Sequence, residues 1–364
     1  LRDTGAAELD TRPLRAAVPA LGRGSSDPGT DLAGVALWVI LLAFASATQD
    51  IVIDAYRVES LDEDQLGAGA GNYVLGYRMA MLAAGGGALI VADVAGWAAA
   101  YGVMAALMGV GVAAVLVSPE PERRQSPESL EQNHRVAAFV AHNAHLPDVL
   151  RKAGAHLVEA VVCPFSDFMR RPHWLMILLF IALYKYGDAL LGVMANPFYL
   201  EIGFSKTEIG IISKGYGVFM TVLGGLIGGV AVARYGILPA LLWCGVGQAI
   251  SNLVFAAQAA VGYSVPMLVV TISVENLTGG MATAAFVAYL SSLCNVAYTA
   301  TQYALLSSLM AFTRTFFASG GGWLADNMDW VSYFLLTTLA AVPGLLILLW
   351  LMRREPAPDR GEPP

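Results

Sequence analysis

Apolar runs of about twenty residues, separated by short polar turns, set the pattern of this chain. A helix needs roughly 20 mostly apolar residues to cross a bilayer core of about 30 Å, so each run predicts one membrane-spanning helix. Nine runs meet this length: Leu32–Ile53, Asn72–Val91, Trp97–Val117, Trp174–Leu200, Ile209–Ala233, Ile237–Gln258, Pro266–Leu290, Tyr298–Leu324 and Trp330–Leu351. The pattern predicts an all-α integral membrane protein, whose first partner is the lipid bilayer.

The segments around these runs divide the chain. Residues 1–31 contain no run long enough to span and are expected to be disordered or non-native, and residues 118–172 form a linker that carries an amphipathic helix near its end. Arg and Lys are frequent in this linker and in the tail, 353–364, whereas Lys206 is the only one between spans on the opposite side. Because positively charged loops stay in the cytoplasm, we expect the linker and the C-terminus there.

Composition narrows the class of function. The chain is 57% hydrophobic and 13% charged, with a mean hydropathy of +0.60, whereas soluble domains carry about 25% charged residues. A water-soluble enzyme is therefore not indicated. The net charge of −7 offers no basic face, so no nucleic-acid partner is expected. Cys163, Cys244 and Cys294 lie far apart without a CxxC or His/Cys pairing, so we expect no metal, no disulfide framework and no cofactor.

Ionisable residues inside the predicted spans are the most informative feature. Each charge at a helix centre costs about 2.5–3.5 kcal/mol in lipid, so these side chains are expected to face an interior passage. Eight lie within or at the edges of spans: Asp50, Asp54, Arg78, Lys185, Asp188, Lys214, Glu275 and Arg314.

The charges follow an internal repeat. Spans three, six and nine carry no charge, so the order charged, charged, uncharged recurs three times, and every third helix is expected to be peripheral. A second echo lies six spans apart: Arg78, Gly85–Gly87 and Asp93 recur as Arg314, Gly320–Gly322 and Asp326. Two six-helix halves, each built from inverted three-helix units, resemble the major facilitator superfamily fold.

This resemblance implies an order for the chain. Residues 32–117 correspond to the second three-helix unit of the N-terminal half, and residues 173–352 correspond to the six-helix C-terminal half. Nine of twelve helices are then present, and we expect that the parent protein has three more helices upstream and that this chain is truncated at its N-terminus.

Five short sequence motifs make the resemblance more specific. They are Ala47–Arg57 (ATQDIVIDAYR), Gly67–Ala70 leading into Leu75–Arg78, Tyr184–Ala189 (YKYGDA), Glu275–Met281 (ENLTGGM) and Ala300–Leu305 (ATQYAL). Together, and in this order, they resemble the AmpG family of muropeptide permeases. The resemblance implies a multi-pass importer of the bacterial inner membrane, driven by the proton-motive force. Its substrates are anhydromuropeptides released by peptidoglycan turnover, and its partners are protons and that substrate.

Each charged or amide side chain has two interpretations. Proton-coupling candidates are Asp188, Glu275, Asp50 and Asp54, and Arg57 is a gating candidate. Substrate-binding candidates are Arg78, Lys185, Lys214, Asn276, Gln302 and Arg314. The alternatives are structural: Asp54 with Arg57 and Lys185 with Asp188 are close enough in sequence to form ion pairs, the cations can neutralise neighbouring acids, and the amides can bond to neighbouring helices.

Other functions stay open at this point. An acetyl-CoA transporter-like permease, an integral-membrane enzyme and a non-functional truncated remnant are the alternatives to a muropeptide importer. The chain has no GxxxxGK[ST] phosphate loop, no paired nucleophile and base, and no metal-ligand spacing. We therefore expect a secondary transporter and no enzymatic activity.

Overall fold

A computed structural model describes residues 32–62, 65–119, 127–143, 145, 147–295 and 297–354. All regular secondary structure in these residues is helical. The expected N-terminal segment, 1–31, and most of the expected tail lie outside them. The chain separates into two compact units, Leu1–Ser60 with Gly76–Arg124, and Leu61–Leu75 with Gln125–Pro364.

The first unit contains two long apolar stretches. Helix α1 spans Leu32–Ser60, and α2, Leu66–Leu82, enters the unit at Gly76. A π-helical segment, Ala83–Gly87, joins α2 to α3, Ala88–Val117. Gly96, with φ 84°, interrupts α3, a conformation that costs glycine little because it has no Cβ. The kink separates the two apolar runs that the pattern predicts on either side of it.

The linker is helical where it is described. Helix α4 spans Pro127–His142, and α5 spans Asp148–Leu157. A second π-helical segment, Val158–Val162, leads into α6, Cys163–Met169. Helix α6 buries Cys163, Pro164 and Phe168 and contacts α12, so one face of the linker packs on the helical bundle.

Six helical segments follow the linker, and five of them are long and apolar enough to cross a membrane, whereas the predicted eighth span, Tyr298–Leu324, is divided between two shorter helices. They are built from α7 (Trp174–Leu183) with α8 (Tyr186–Glu201), the turn Lys206–Glu208 and π-helical Ile209–Tyr216 leading into α9 (Gly217–Tyr235), α10 (Ile237–Val261), α11 (Val265–Ser292), α12 (Thr299–Ala318) with α13 (Gly321–Asp326), and α14 (Trp330–Arg354). Within the described residues, seven helical stretches are long and apolar enough to cross a membrane. One of them, Leu66–Val117, is the 52-residue stretch kinked at Gly96.

Close backbone contacts hold α9 in place. Helix α9 packs mainly on α11, while α10 packs on α11 and α14. A Cβ on Gly228 would lie 2.6 Å from the carbonyl oxygen of Met281, and one on Gly229 would lie 2.6 Å from that of Gly67. Only glycine permits these distances, because any side chain would push the backbones apart. The glycines of α9 therefore set its spacing from α11 and from the start of α2.

Aromatic side chains pack the end of this bundle that lies opposite the linker. Phe198 and Phe255 are fully buried and contact the ring of Phe334, edge-to-face at a centroid distance of 4.8 Å for Phe198 and tilted at 5.1 Å for Phe255. Outside the spans, Asp329 caps α14 by accepting a hydrogen bond of 3.0 Å from the backbone N–H of Ser332. That bond holds the pKa of Asp329 below its usual value.

Candidate functional site

A break in the fourth predicted span creates the central feature of the site. The apolar run predicts one helix, Trp174–Leu200, but the structure divides it at Tyr184 and Lys185, where Lys185 adopts φ −104° and ψ 15°. Asp188 consequently lies in the first turn of α8. Unpaired backbone N–H groups at a helix start favour a negative charge, so the break provides a polar position for this carboxylate within an apolar span.

The Lys185–Asp188 pair that the spacing allows is present. Lys185 Nζ lies 3.6 Å from Asp188 Oδ2, and each side chain keeps 20% of its surface exposed. Lys185 also donates a hydrogen bond of 3.0 Å to Thr283 Oγ1 on α11. The pair is therefore anchored across two helices while part of it stays open.

Side chains from two further helices reach the same carboxylate. Gln248 on α10 and Arg314 on α12 both interact with Asp188, the first by hydrogen bonding and the second through its charge. Arg314 is otherwise exposed. Three predicted site residues, Lys185, Asp188 and Arg314, thus converge from separate parts of the chain. We call Lys185, Asp188, Gln248, Thr283 and Arg314 the charged cluster.

Glu275 and Asn276 form a second polar group on α11. The amide nitrogen of Asn276 donates to Glu275 Oε2 at 2.8 Å, and its oxygen accepts a hydrogen bond of 2.8 Å from Thr221 on α9. Glu275 is half-buried. Eight residues separate it from Thr283, which corresponds to about 12 Å along the helix axis. The two groups of polar side chains therefore lie at different depths along one helix.

Gln302 has a different setting from the other candidates. It is buried, donates to Asp167 Oδ2 at 2.8 Å and to the Pro164 carbonyl at 3.1 Å, and accepts a bond of 2.7 Å from the backbone N–H of Asn295. Both ends of its amide are used within the protein. In the structure Gln302 therefore joins α12 to the linker helix α6 and lies outside the charged cluster.

Lys214 is exposed in the π-helical segment before α9.

The remaining candidates belong to the first unit. Arg57 Nη2 lies 3.0 Å from Asp54 Oδ1, and both side chains are largely buried. Asp50, one turn earlier on α1, is exposed, and Arg78 on α2 is half-buried. The i, i+3 spacing correctly predicts the Asp54–Arg57 contact.

Sequence reasoning missed two members of the charged cluster, Thr283 and Gln248, and the buried Asn252, which packs against Gly187 next to Asp188. Thr283 is a hydroxyl in an apolar span, and such residues usually bond to their own helix. Gln248 and Asn252 belong to the sixth span, which attracts no attention because it carries no charge. Their spacing of four residues puts both amides on one helical face, and that pattern could have identified them.

Within the described residues, no group of His, Cys, Asp and Glu side chains is arranged to hold a metal ion. Cys163, Cys244 and Cys294 are free thiols. At the charged cluster, the Asp188 carboxylate can exchange a proton, and Lys185 and Arg314 can attract anions.

Comparison with known proteins agrees with the fold. Residues 175–364 match the sequence profile of the Major Facilitator Superfamily. The anhydromuropeptide permease of Escherichia coli (strain K12) is 38% identical over 329 residues, which are 90% of this chain and 62% of that protein. The chain thus spans less than two thirds of that relative. A Rickettsia conorii transporter named AmpG 4 is 32% identical, over 91% of this chain and 75% of that protein.

Solved structures agree on the architecture. The proton:xylose symporter XylE aligns with a TM-score of 0.65 over 94% of this chain and 79% of that chain, at 10% identity. A bacterial homologue of the iron transporter ferroportin aligns with a TM-score of 0.60 over 95% of this chain and 81% of that chain, at 14% identity. At such identities the likeness shows the fold alone. From its sequence match and its helical architecture, this multi-pass membrane protein belongs to the AmpG family of the major facilitator superfamily.

Proposed function

We propose that this protein is a proton-coupled secondary transporter that imports anhydromuropeptides across the bacterial inner membrane for cell-wall recycling. The observation that carries the proposal is the Lys185–Asp188 pair at the break between α7 and α8, with Arg314 acting on the same carboxylate. The names of the relatives support the substrate class, because muropeptides are carboxylate-bearing sugar peptides. Catalysis has no role in this proposal.

The coupling step follows from charge balance. While Asp188 is ionised, its negative charge neutralises that of Lys185 and weakens the attraction of Arg314 for other anions. A proton on Asp188 removes that negative charge, so both cations become available to a carboxylate of the peptide stem, Arg314 through paired hydrogen bonds and Lys185 as a point charge. Proton binding and substrate binding therefore strengthen each other, and this mutual effect is the requirement for symport.

Glu275 and Asn276 provide a second place for the same chemistry. Glu275 is the alternative proton site, and the Asn276 amide is suited to hydroxyl or acetamido groups of the sugar. Lys214 and Arg78 are proposed as further cations that attract the carboxylates of the substrate. Asp50, Asp54 and Arg57 are proposed as a gate on α1, in which the Asp54–Arg57 contact of 3.0 Å breaks and reforms. The contacts of Gln302 favour a structural role for that residue.

The linker has a proposed role at the membrane surface. Exposed apolar side chains line α5, the following π-helical segment and α6, including Leu157, Val161 and Phe165. The exposed cation Lys152 belongs to the same segment. This arrangement suits a helix lying on the cytoplasmic leaflet, with cations at the head groups. The linker and the C-terminus are accordingly assigned to the cytoplasm.

Uptake into vesicles tests the proposal. The chain is reconstituted into proteoliposomes, and accumulation of labelled anhydromuropeptide is followed with an imposed proton gradient. We expect Asp188→Asn to reduce gradient-driven accumulation by about tenfold or more, because coupling energies in such systems amount to factors of this size. Glu275→Gln is compared in parallel to decide between the two acids.

Glu201→Gln is the matched control, since Glu201 is an exposed carboxylate at the end of the same helix, α8, and full uptake is expected. Accumulation by the unmodified chain that persists after the proton gradient is collapsed would contradict proton coupling. Transport of an unrelated solute with no muropeptide uptake would contradict the substrate.

A further inference from the structure

Next to the charged cluster, α10 carries a buried amide whose hydrogen-bonding groups are unused. Asn252 is 1% exposed, and among the residues that the structure describes neither its Oδ1 nor its Nδ2 has a hydrogen-bond partner. One turn earlier, the buried Oε1 of Gln248 also has none. Buried polar atoms are nearly always hydrogen bonded, so three such atoms on one helical face indicate a site for a ligand.

Gly187 lets α8 approach Asn252 and α14 closely. A Cβ on Gly187 would lie 2.5 Å from the Thr337 carbonyl oxygen, 3.2 Å from Asn252 Nδ2 and 3.3 Å from Ala341 Cβ. Gly187 immediately precedes Asp188, and Gln248 interacts with the Asp188 carboxylate. The two amides therefore lie beside Asp188, on the face of α10 that meets α8 and α14.

The unused atoms define the chemistry of the occupant. The occupant must accept a hydrogen bond from Asn252 Nδ2 and donate to the oxygens of Asn252 and Gln248. A monovalent cation would satisfy only the oxygens, and it would add positive charge beside Lys185 and Arg314. A sugar peptide is too large for a position that is 1% exposed. Water both donates and accepts, and it fits small polar sites of this kind.

We propose that Gln248 and Asn252 hold an internal water site that hydrates Asp188 and relays protons to its carboxylate. The water-binding part stands on the amides alone, whereas the relay rests on the proposed function, in which Asp188 carries the coupling proton. Asn252 is a positioning residue, since it acts on Asp188 through water and Gln248.

Charged and titratable groups on the neighbouring helices also interact with Asp188 and its partner Lys185. Lys185 at the start of its own helix and Arg314 on α12 are the cations, and Tyr184 interacts with it electrostatically. Cys244 on α10 interacts with Lys185. Two cations face Asp188 from one side, and water at the amides adds a route on the α10 side by which a proton reaches or leaves it.

The test compares Asn252→Leu, which removes both polar atoms at similar volume, with Asn252→Ser, which keeps a hydroxyl and leaves room for water. Ser251→Ala is the control, because Ser251 is buried on the same helix but bonds only to the Gln248 backbone carbonyl. Three readouts are used: an experimental structure at a resolution that shows water, substrate counterflow without net proton movement, and gradient-driven uptake against pH. If Asn252→Leu does not fold, Asn252→Val, which also removes both polar atoms, takes its place.

We expect ordered water between Asn252 and Gln248 in the unmodified chain and none in Asn252→Leu. Counterflow by Asn252→Leu should stay near that of the unmodified chain, while its gradient-driven uptake falls about tenfold and the midpoint of its pH profile moves by about one unit. Asn252→Ser and Ser251→Ala should keep both activities.

Absence of water at these amides, or an unchanged pH profile in Asn252→Leu, would overturn the inference. Failure of the unmodified chain in counterflow would instead reject the proposed function. The water readout would still decide whether the amides form the site.

Discussion

At the scale of single residues, Lys185 and Asp188 show how position in a helix changes the meaning of a charge. Three residues apart in a continuous helix, they would form a simple surface-type pair. At the break between α7 and α8, Asp188 meets the N-terminal end of a helix, and Lys185 bonds to Thr283. The same two side chains therefore combine an ion pair, a helix start and a link to α11.

The contribution of the Lys185–Asp188 pair to the free energy of unfolding can be measured. Removing one partner of a buried pair leaves an unbalanced charge, which costs about 3–5 kcal/mol when burial is complete. Lys185 and Asp188 keep 20% exposure, and Arg314 remains, so we expect Lys185→Met to lower unfolding stability by about 1–2 kcal/mol. The double variant Lys185→Met/Asp188→Asn should recover part of this loss.

Thermal unfolding in detergent, run as a double-mutant cycle, measures the interaction. Lys206→Met serves as the control, because Lys206 is an exposed cation in the turn before the π-helical segment, and little change is expected. A double variant less stable than either single variant would argue against a stabilising ion pair.

At the scale of elements, the close approach of α9 to α11 depends on glycine. A Cβ on Gly228 would lie 2.6 Å from the Met281 carbonyl oxygen, which is too close for two non-bonded atoms. In lipid there is little hydrophobic gain from helix association, so backbone contact and dispersion supply most of the attraction. Small residues at this interface therefore matter more than they would in a soluble bundle.

Gly228→Ala tests that dependence. The added methyl forces α9 and α11 apart, and we expect a loss of about 1–3 kcal/mol, the usual cost of overpacking. Gly192→Ala on α8 is the matched control, because nothing lies within 4 Å of its Cβ position and alanine favours the helix. Unfolding temperatures of the two variants give the comparison. Equal stability would show that the backbones relax freely.

The linker shows a second dependence at the element scale. Asp167 on α6 accepts a hydrogen bond of 2.8 Å from Gln302 on α12, across 135 residues of chain. Asn295, just before α12, lies at 3.4 Å from the same carboxylate. A polar residue that looks like a substrate contact from its place in an apolar span thus serves to attach a linker helix. The spacing of residues in the sequence cannot indicate a hydrogen-bond partner that lies so far away along the chain.

At the scale of the whole molecule, the distribution of positive charge predicts orientation. Arg and Lys are concentrated in the linker and at the C-terminal end, while Lys206 lies between spans on the opposite side. Because translocation of short basic loops is disfavoured, the linker should be cytoplasmic and Lys206 periplasmic.

Cysteine labelling checks this orientation. In a background with the three native cysteines replaced by serine, we expect Lys206→Cys to react with a membrane-impermeant maleimide added to intact spheroplasts. Lys152→Cys, also exposed on its helix, should react only after the membrane is opened. The reverse pattern would invert the proposed topology and the assigned direction of import.

The sequence alone determined the apolar runs, the charged positions within them and the five family motifs, because hydropathy and residue identity are local properties. It also allowed the Asp54–Arg57 and Lys185–Asp188 contacts as one of two interpretations, since residues three apart in a helix are neighbours. The sequence did not reveal the break at Lys185, because the apolar run continues across it and no proline or glycine pair marks the position.

Only the tertiary structure decided which helices face each other. It brought Gln248, Thr283 and Arg314 to Asp188, linked Gln302 to Asp167 and enclosed Asn252 beside Gly187. Spanning helices are apolar on most of their circumference, so the sequence pattern leaves their rotation and pairing open. These are chosen by the close fit of small residues and by hydrogen bonds between distant helices, and this selection is complete only when the whole bundle has packed.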